Sequence, residues 1–379
     1  MNKIDHEIRL SNPDMGGEEA KAAYDAVMSR WPGEGVKTAQ FEDMFAKYVG
    51  VKYAIACANG TVALHMIWSS YGIGGGDEVI TPSLTFISTA TSLYYVGAKP
   101  VFAEIKEDTF NIDPEDVLKK ITPKTKAVIA VHYAGQPADM DELKKICKEH
   151  NLILIEDAAE AHGAEYKGKK AGSLGDAAMF SFTCTKIITT GEGGLILTND
   201  KDINDKVRLL KNHGQTAPYQ HDSWGSNYRF NDISAAIGIE QLKKLPKIFK
   251  TKNENAKYLT EKLNKIKGIK TPAIASGRTH PFMIYSILLD ENLINKRDSI
   301  LKYLQDNKIQ ARAYFPPAHL QKVFEKEGYK EGSLPVTEKT WKRIISLPFG
   351  VRITKEEMDY VRETLGRALK ESNRVAAGL

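Results

Sequence analysis

Cysteine is scarce in this chain, with three in 379 residues, at Cys57, Cys147 and Cys184. Their odd number argues against a disulfide framework, and their spacing fits no metal-ligand pattern. This usage points to a reducing compartment, so we expect a cytoplasmic protein without a bound metal. Long apolar runs are missing as well. No stretch approaches the roughly 20 apolar residues of a membrane-spanning helix. The opening residues, "MNKIDHEIRLSNPD", lack the apolar centre of a signal peptide. Charge of one sign is nowhere concentrated. The net charge of +5 is small for this length, and acids and bases are interspersed, which argues against a nucleic-acid partner. Neither an internal repeat nor a low-complexity segment is visible.

What remains is an ordinary globular composition, 42% hydrophobic and 27% charged, in a chain long enough for two domains. From about residue 50, short apolar runs alternate with amphipathic segments. "YAIACA", "DEVITP", "KPVFAEI", "KAVIAVHYAG", "NLILIEDAA", "AAMFSF" and "GGLILTND" read as strands. "GTVALHMIWSSYGI", "TFISTATSLYYVG" and "DMDELKKICKEH" read as the helices between them. Strands that are apolar along their whole length, separated by helices, predict a mostly parallel sheet covered on both faces. That is an α/β domain of roughly 200 residues. The Gly-rich "YGIGGGDEV" is a turn and not a phosphate loop, because no Lys-Ser/Thr pair follows it. After "KLPKIFK" the texture changes. Residues 247–267 read as one long exposed helix, and the segments beyond suggest a smaller α+β domain. We therefore expect an N-terminal arm and large domain over 1–245 and a small domain over 246–379.

Ligands of open α/β sheets sit at the carboxyl ends of strands, and several informative residues fall at such ends. Asp157 closes "LILIED"; it is also an acceptable helix N-cap. Gly60 and Thr61 follow the first strand and open a helix, where free N–H groups and a hydroxyl make an anion site; an ordinary capped helix start reads the same way. Ser181 ends "AAMFSF", and Lys186 follows it in "FSFTCTKIITTGEGG" between an apolar strand and a Gly-rich turn. A phosphate gripped near Ser181 would leave Lys186 free to meet a carbonyl.

The run "EDAAEAHGAEYKGKKAGSLGDAAMFSFTCTKIITTGEGGLILTND" resembles the centre of the DegT/DnrJ/EryC1/StrS sugar aminotransferases, pyridoxal 5'-phosphate enzymes of fold-type I. "NGTVALH", "GDEVITPSLTF" and "SNYRFNDISAAIG" match the same family in the same order. The resemblance implies a role for each matching residue. Lys186 corresponds to the Schiff-base lysine that also shuttles the proton. Asp157 corresponds to the carboxylate that keeps the pyridine nitrogen protonated. Glu160 would approach the ring's 3-hydroxyl, the other reading being a helix-surface acid. Phe86 would stack on the ring, unless it is a plain core phenylalanine. Gly60, Thr61 and Ser181, with Asn59 adjacent, would hold the phosphate. Asn227 would reach the phosphate of a neighbouring subunit, which implies a homodimer with shared active sites. Arg229 is either a second cation there or a pin for its loop. His162 is expected as a hydrogen-bonded histidine behind the site, and Cys184 as a small filler.

The implied reaction is transfer of an amino group, with L-glutamate as donor, to the 4-keto carbon of a nucleotide-linked 6-deoxy sugar. The look is closest to GDP-perosamine synthases. A 3-keto aminotransferase, a dehydratase of the same fold and a non-catalytic regulator are the alternatives; the related 3-dehydratases carry histidine where this chain has Lys186. The stretch "WPGEGVKTAQFE" departs from the family's usual pattern near the sugar pocket, and "FSFTCTK" replaces the commoner "FSFFGNK".

Overall fold

The apolar runs of the first half assemble into one sheet in the computed structural model, which describes residues 4–376. Helices α1 (Gly17–Met28) and α2 (Val36–Val49) precede β1 (Tyr53–Cys57). Next come α3 (Gly60–Ser70), β2 (Glu78–Pro82), α4 (Ser88–Thr91), β3 (Lys99–Ala103), α5 (Pro114–Lys120) and β4 (Thr125–Val131). Helix α6 (Met140–Glu149) leads to β5 (Ile153–Asp157), and the small hairpin of β6 (Glu165–Tyr166) and β7 (Lys169–Lys170) leads to β8 (Ala177–Ser181) and β9 (Gly194–Thr198).

The seven long strands pair in the order β1-β9-β8-β5-β4-β2-β3. Strands β3, β2, β4, β5 and β8 run parallel, and β9 is antiparallel to both its neighbours. The carboxyl ends of β1, β2, β4, β5 and β8 and the start of β9 therefore share one edge. Ile55, Val79, Ile129, Ile155 and Ile196 are buried in one apolar cluster with α3, as a sheet with helix-covered faces requires.

The second half adds α7 (Lys201–Lys211), a hairpin of β10 (Gln215–Ala217) and β11 (Gln220–His221), and the 32-residue α8 (Asp232–Leu263). A three-stranded antiparallel sheet follows, built from β12 (Ile269–Lys270), β13 (Tyr285–Leu289) and β14 (Ile344–Leu347). Helices α9 (Arg297–Asp306), α10 (Pro335–Trp341) and α11 (Lys355–Ala376) accompany it. A separate apolar cluster gathers around this sheet, with Tyr285, Ile287, Leu347 and Val361 at its centre.

Two expectations need correction. Helix α8 begins fifteen residues before the expected 247, capped by Asn231, whose side chain accepts from Ser234 N at 2.8 Å. It continues through Pro246, so the expected boundary at 245/246 falls inside it. Proline removes one helical hydrogen bond, but the turns around it are anchored by Leu245 and Ile248, which are fully buried. Nor is the helix exposed throughout. Leu242, Leu245 and Ile248 pack in the large-sheet core, and Ala256, Leu259 and Leu263 in the second core. The second correction concerns "TFISTATSLYYVG", which yields only α4 and a 3₁₀ segment, Ser92–Val96. Its hydroxyls compete for the backbone, since Thr91 Oγ1 donates to Ile87 O at 3.2 Å and Ser92 Oγ to Thr89 O at 3.4 Å.

Lys252 lies on the inner face of α8, 5% exposed. Its ammonium stands 5.0 Å from the centroid of the Phe349 ring and has no carboxylate partner among the described residues. Burial pushes its pKa down from 10.5 to about 7. The unfolded chain thus binds this proton more tightly, and the cost to folding is complete below pH 7 and fades as pH rises to 10.5. Lys252→Met should stabilise the fold by on the order of 2 kcal/mol at pH 6 and by clearly less at pH 10. Chemical denaturation at the two pH values measures this, and an equal gain at both would contradict an unpaired buried amine.

Candidate active site

The shared strand edge opens into a cavity of about 1190 Å³. Asn59, Gly60, Thr61, Phe86, Asp157, Glu160, Ser181 and Lys186 all line it, so eight of the nine expected residues come together from four separate stretches.

Each is placed by its local sequence. Asn59 caps α3, its Oδ1 accepting from Val62 N at 3.1 Å, which leaves the first N–H groups of the helix facing the cavity. Gly60 is needed there for close approach: a Cβ would lie 2.9 Å from Met179 Sδ and 3.2 Å from Ser181 Cβ. Asp157 ends β5 with 5% exposure and starts no helix, so its capping alternative drops out. Thr89 Oγ1 donates to its Oδ2 at 2.8 Å, and Ala159 N to its Oδ1 at 3.2 Å. Thr85 and Thr89 are themselves linked at 2.8 Å. Burial raises the Asp157 carboxyl above the usual range, and the Thr89 hydrogen bond and the charge of Lys186 oppose that.

Glu160 is buried and is not a helix-surface acid. Its Oε2 accepts from Ala134 N at 2.8 Å, and its Oε1 lies 3.4 Å from Lys186 Nζ. Burial raises its pKa despite the lysine, because desolvation outweighs one long ion pair. Lys186 sits on the loop between β8 and β9 with 11% of its side chain exposed. The hydroxyl-rich sequence around it closes that loop. Thr189 Oγ1 donates to Phe182 O at 2.8 Å, Thr190 Oγ1 to Glu192 O at 2.7 Å and Thr183 Oγ1 to Glu192 Oε1 at 2.9 Å.

Phe86 is 57% exposed, so it is no core residue; its ring meets Phe315 edge-on at 6.2 Å. Asn227 does not line the cavity of its own chain and is exposed beside Arg229. Arg229 bonds Asn212 at 2.6 Å, which pins the loop. His162 is held edge-to-face by Phe180 and Phe182 at 5.0 and 5.2 Å and not by hydrogen bonds from its ring. Burial and the charge of Lys186 push it down to about 3, so it is neutral. Cys184 is exposed on the lysine loop and fills no gap, a second departure from expectation. The residues that sequence reasoning missed are the holders: Thr85, Thr89 and the Ala134 amide. The four-residue spacing of the two threonines was the available signal; Ala134 donates from a left-handed backbone, φ 54°, that nothing in the sequence marks.

This donor set suits a flat aromatic ring that carries a basic nitrogen, a phosphate and a carbonyl. A buried carboxylate awaits a cation, a glycine-bearing helix start awaits an anion, and an amine stands between them. Together with the fold, that is the architecture of a fold-type I aminotransferase. The chain belongs to the DegT/DnrJ/EryC1/StrS aminotransferase family, whose profile matches residues 13–366. It is similar to GDP-perosamine synthase of Caulobacter vibrioides, 40% identical over 366 residues that cover 96% of this chain and 98% of that one. Among solved structures it is similar to Helicobacter pylori PseC, an aminotransferase involved in the biosynthesis of pseudoaminic acid (TM-score 0.93, 29% identity, 96% and 100% covered). It is also similar to DesI solved in the presence of its TDP-sugar product (TM-score 0.92, 32% identity, 99% and 96% covered). The protein is a sugar aminotransferase. Among the described residues no helix is long and apolar enough to cross a membrane.

Thr89→Val keeps the shape of the side chain but leaves Asp157 Oδ2 without its hydroxyl donor. An unsatisfied buried carboxylate oxygen should lower unfolding free energy by about 1–3 kcal/mol, and Thr89→Ser should restore most of it. Denaturant titration measures both, and a valine variant as stable as the parent would show that the bond contributes nothing.

Proposed function

We propose that this enzyme moves an amino group from L-glutamate to the 4-keto carbon of a nucleotide-linked 6-deoxy sugar, with pyridoxal 5'-phosphate as cofactor. The observation that carries the proposal is the convergence of Asp157, Glu160 and Lys186 on one cavity, beside a capped helix start. The named activity of the Caulobacter relative, at 40% identity over nearly the whole chain, supports the substrate class.

When bound, the cofactor supplies an electron sink that lets a proton leave the carbon bearing the nitrogen. The chain's residues supply the rest. Asp157 would meet the ring nitrogen, and a cation docked there would oppose the effect of burial on its carboxyl. Thr89 and Ala159 fix its direction. Asn59, Gly60, Thr61 and Ser181 would hold the phosphate, Phe86 would offer its face to the ring and Glu160 would approach the 3-hydroxyl. Lys186 Nζ would be the amine that holds the cofactor through its carbonyl group and, when free, the base that moves a proton in the transfer. The loop hydroxyls hold Lys186 within reach.

Incubation with glutamate and a panel of GDP- and TDP-linked 4-keto sugars, read by product mass, tests the reaction; a panel in which no sugar gains nitrogen would refute it. Lys186→Ala should retain cofactor non-covalently, should no longer be labelled by it on borohydride reduction, and should lose at least about 100-fold in rate. A variant that is still labelled, or turns over like the parent, would place the reactive amine elsewhere.

Asn227 lies outside its own cavity, and we read it as a phosphate ligand of the partner in a homodimer. Mixing Lys186→Ala with Asn227→Ala subunits checks this. In a mixed dimer one site receives both lesions and the other neither, so activity should return once exchange is verified. With exchange verified and each parent variant inactive, no recovery would mean that Asn227 serves its own chain.

A further inference from the structure

The charged residues lining the cavity are tied within the chain, with one exception. Asp157 is bonded by Thr89 and Ala159, Glu160 by Ala134 and Lys186, and Glu192 by the Thr183 hydroxyl. Arg312 lines the same cavity and is exposed to it. Among the described residues its guanidinium meets no carboxylate, no carbonyl oxygen and no aromatic ring.

The backbone under this side chain is fixed. Arg312 N donates to Ser346 O at 3.2 Å, and Ser346 N donates back to Arg312 O at 2.7 Å, tying the segment to β14. Gln310 N donates to Ile8 O at 3.0 Å, and Tyr314 O accepts from Tyr133 Oη at 2.6 Å. An arginine on a braced backbone loses less freedom on meeting a ligand than one on a loose loop. The surrounding charge sharpens the point. Three carboxylates line the cavity, and Lys186, the other cation, faces Glu160. An anionic substrate finds in this lining one cation without a partner among the described residues. A planar guanidinium binds carboxylates and phosphates through two parallel N–H groups.

We propose that Arg312 is the specificity-determining residue that grips a substrate oxyanion, either a carboxylate of the amino donor or a phosphate of the nucleotide sugar. This rests on the transaminase reading of the cavity. The two sources separate experimentally because donor and acceptor react in separate halves of the cycle. Arg312→Gln and Arg312→Lys are prepared as holoenzymes. The donor half is followed by the absorbance change with glutamate, and the acceptor half by the reverse change with the keto-sugar nucleotide.

Arg312→Gln should weaken the apparent affinity in one half by about 10–100-fold and leave the other within about threefold. Arg312→Lys should recover part of the loss through charge without the fork. A loss confined to glutamate identifies the carboxylate, and one confined to the sugar nucleotide identifies the phosphate. No loss in either half, or an equal loss in both, would overturn the proposal. Thermal upshift by 2-oxoglutarate or by GDP gives a readout that needs no turnover. If the wild-type protein aminates no keto sugar, the substrate reading fails, while loss of one of these upshifts in Arg312→Gln still upholds the oxyanion site and an unchanged pair of upshifts still sinks it.

Discussion

The site is organised around a carboxylate that the fold buries without a full counter-charge. Asp157 sits at the end of β5, with strands on either side and apolar residues behind it, and among the described residues its direct holders are a threonine hydroxyl and one amide. A group in that position is unstable as an anion until something cationic arrives. Much of the neighbouring structure follows from this. The segment after β2 carries both Phe86 and Thr89, and the short helix α4 turns the Thr89 hydroxyl toward Asp157. Glu160 repeats the pattern three residues on, buried and held by Ala134 and the lysine. The cavity is a set of polar groups held by the protein in a geometry that a ligand completes.

The large-sheet strands were legible because their periodicity left little choice. Runs such as "LILI" and "LIL" are apolar at every position, as strands of a sheet covered on both faces are. The lining of the candidate cavity was legible for a different reason: several of its residues stand at the ends of those strands, and the family resemblance pointed to the rest. What could not be read was decided by tertiary contact. The change of texture after "KLPKIFK" was read as a boundary, yet the buried faces on both sides carry α8 through Pro246. The lysine-rich surface of that helix hid the stripe of Ala256, Leu259 and Leu263 beneath. "TFISTATSLYYVG" has an acceptable helical pattern, but its hydroxyls bond its own backbone, and Thr89 also bonds Asp157, 68 residues away in sequence. Cys184 and His162 were misjudged because exposure within a loop, and satisfaction of a buried ring, depend on neighbours remote in sequence.

The antiparallel strand β9 has a consequence for how the chain becomes an enzyme. β1 has no partner in the sheet other than β9, and the register joins Tyr53 to Thr198. During synthesis β1 therefore waits, unpaired at one edge, while roughly 140 further residues emerge, which takes seconds at ribosomal speeds. Strands β2 to β5 have parallel neighbours available earlier, though parallel pairings across intervening helices are themselves slow to close. The lysine loop lies between β8 and β9, so it acquires its shape at the same moment that β9 seats and captures β1. Gly194, at the start of β9, is the point of contact: any side chain there would run into Asn59 O, 2.3 Å from its Cβ. Pairing of β9 with both β8 and β1 thus sets the Lys186 loop and the start of α3 in register with each other.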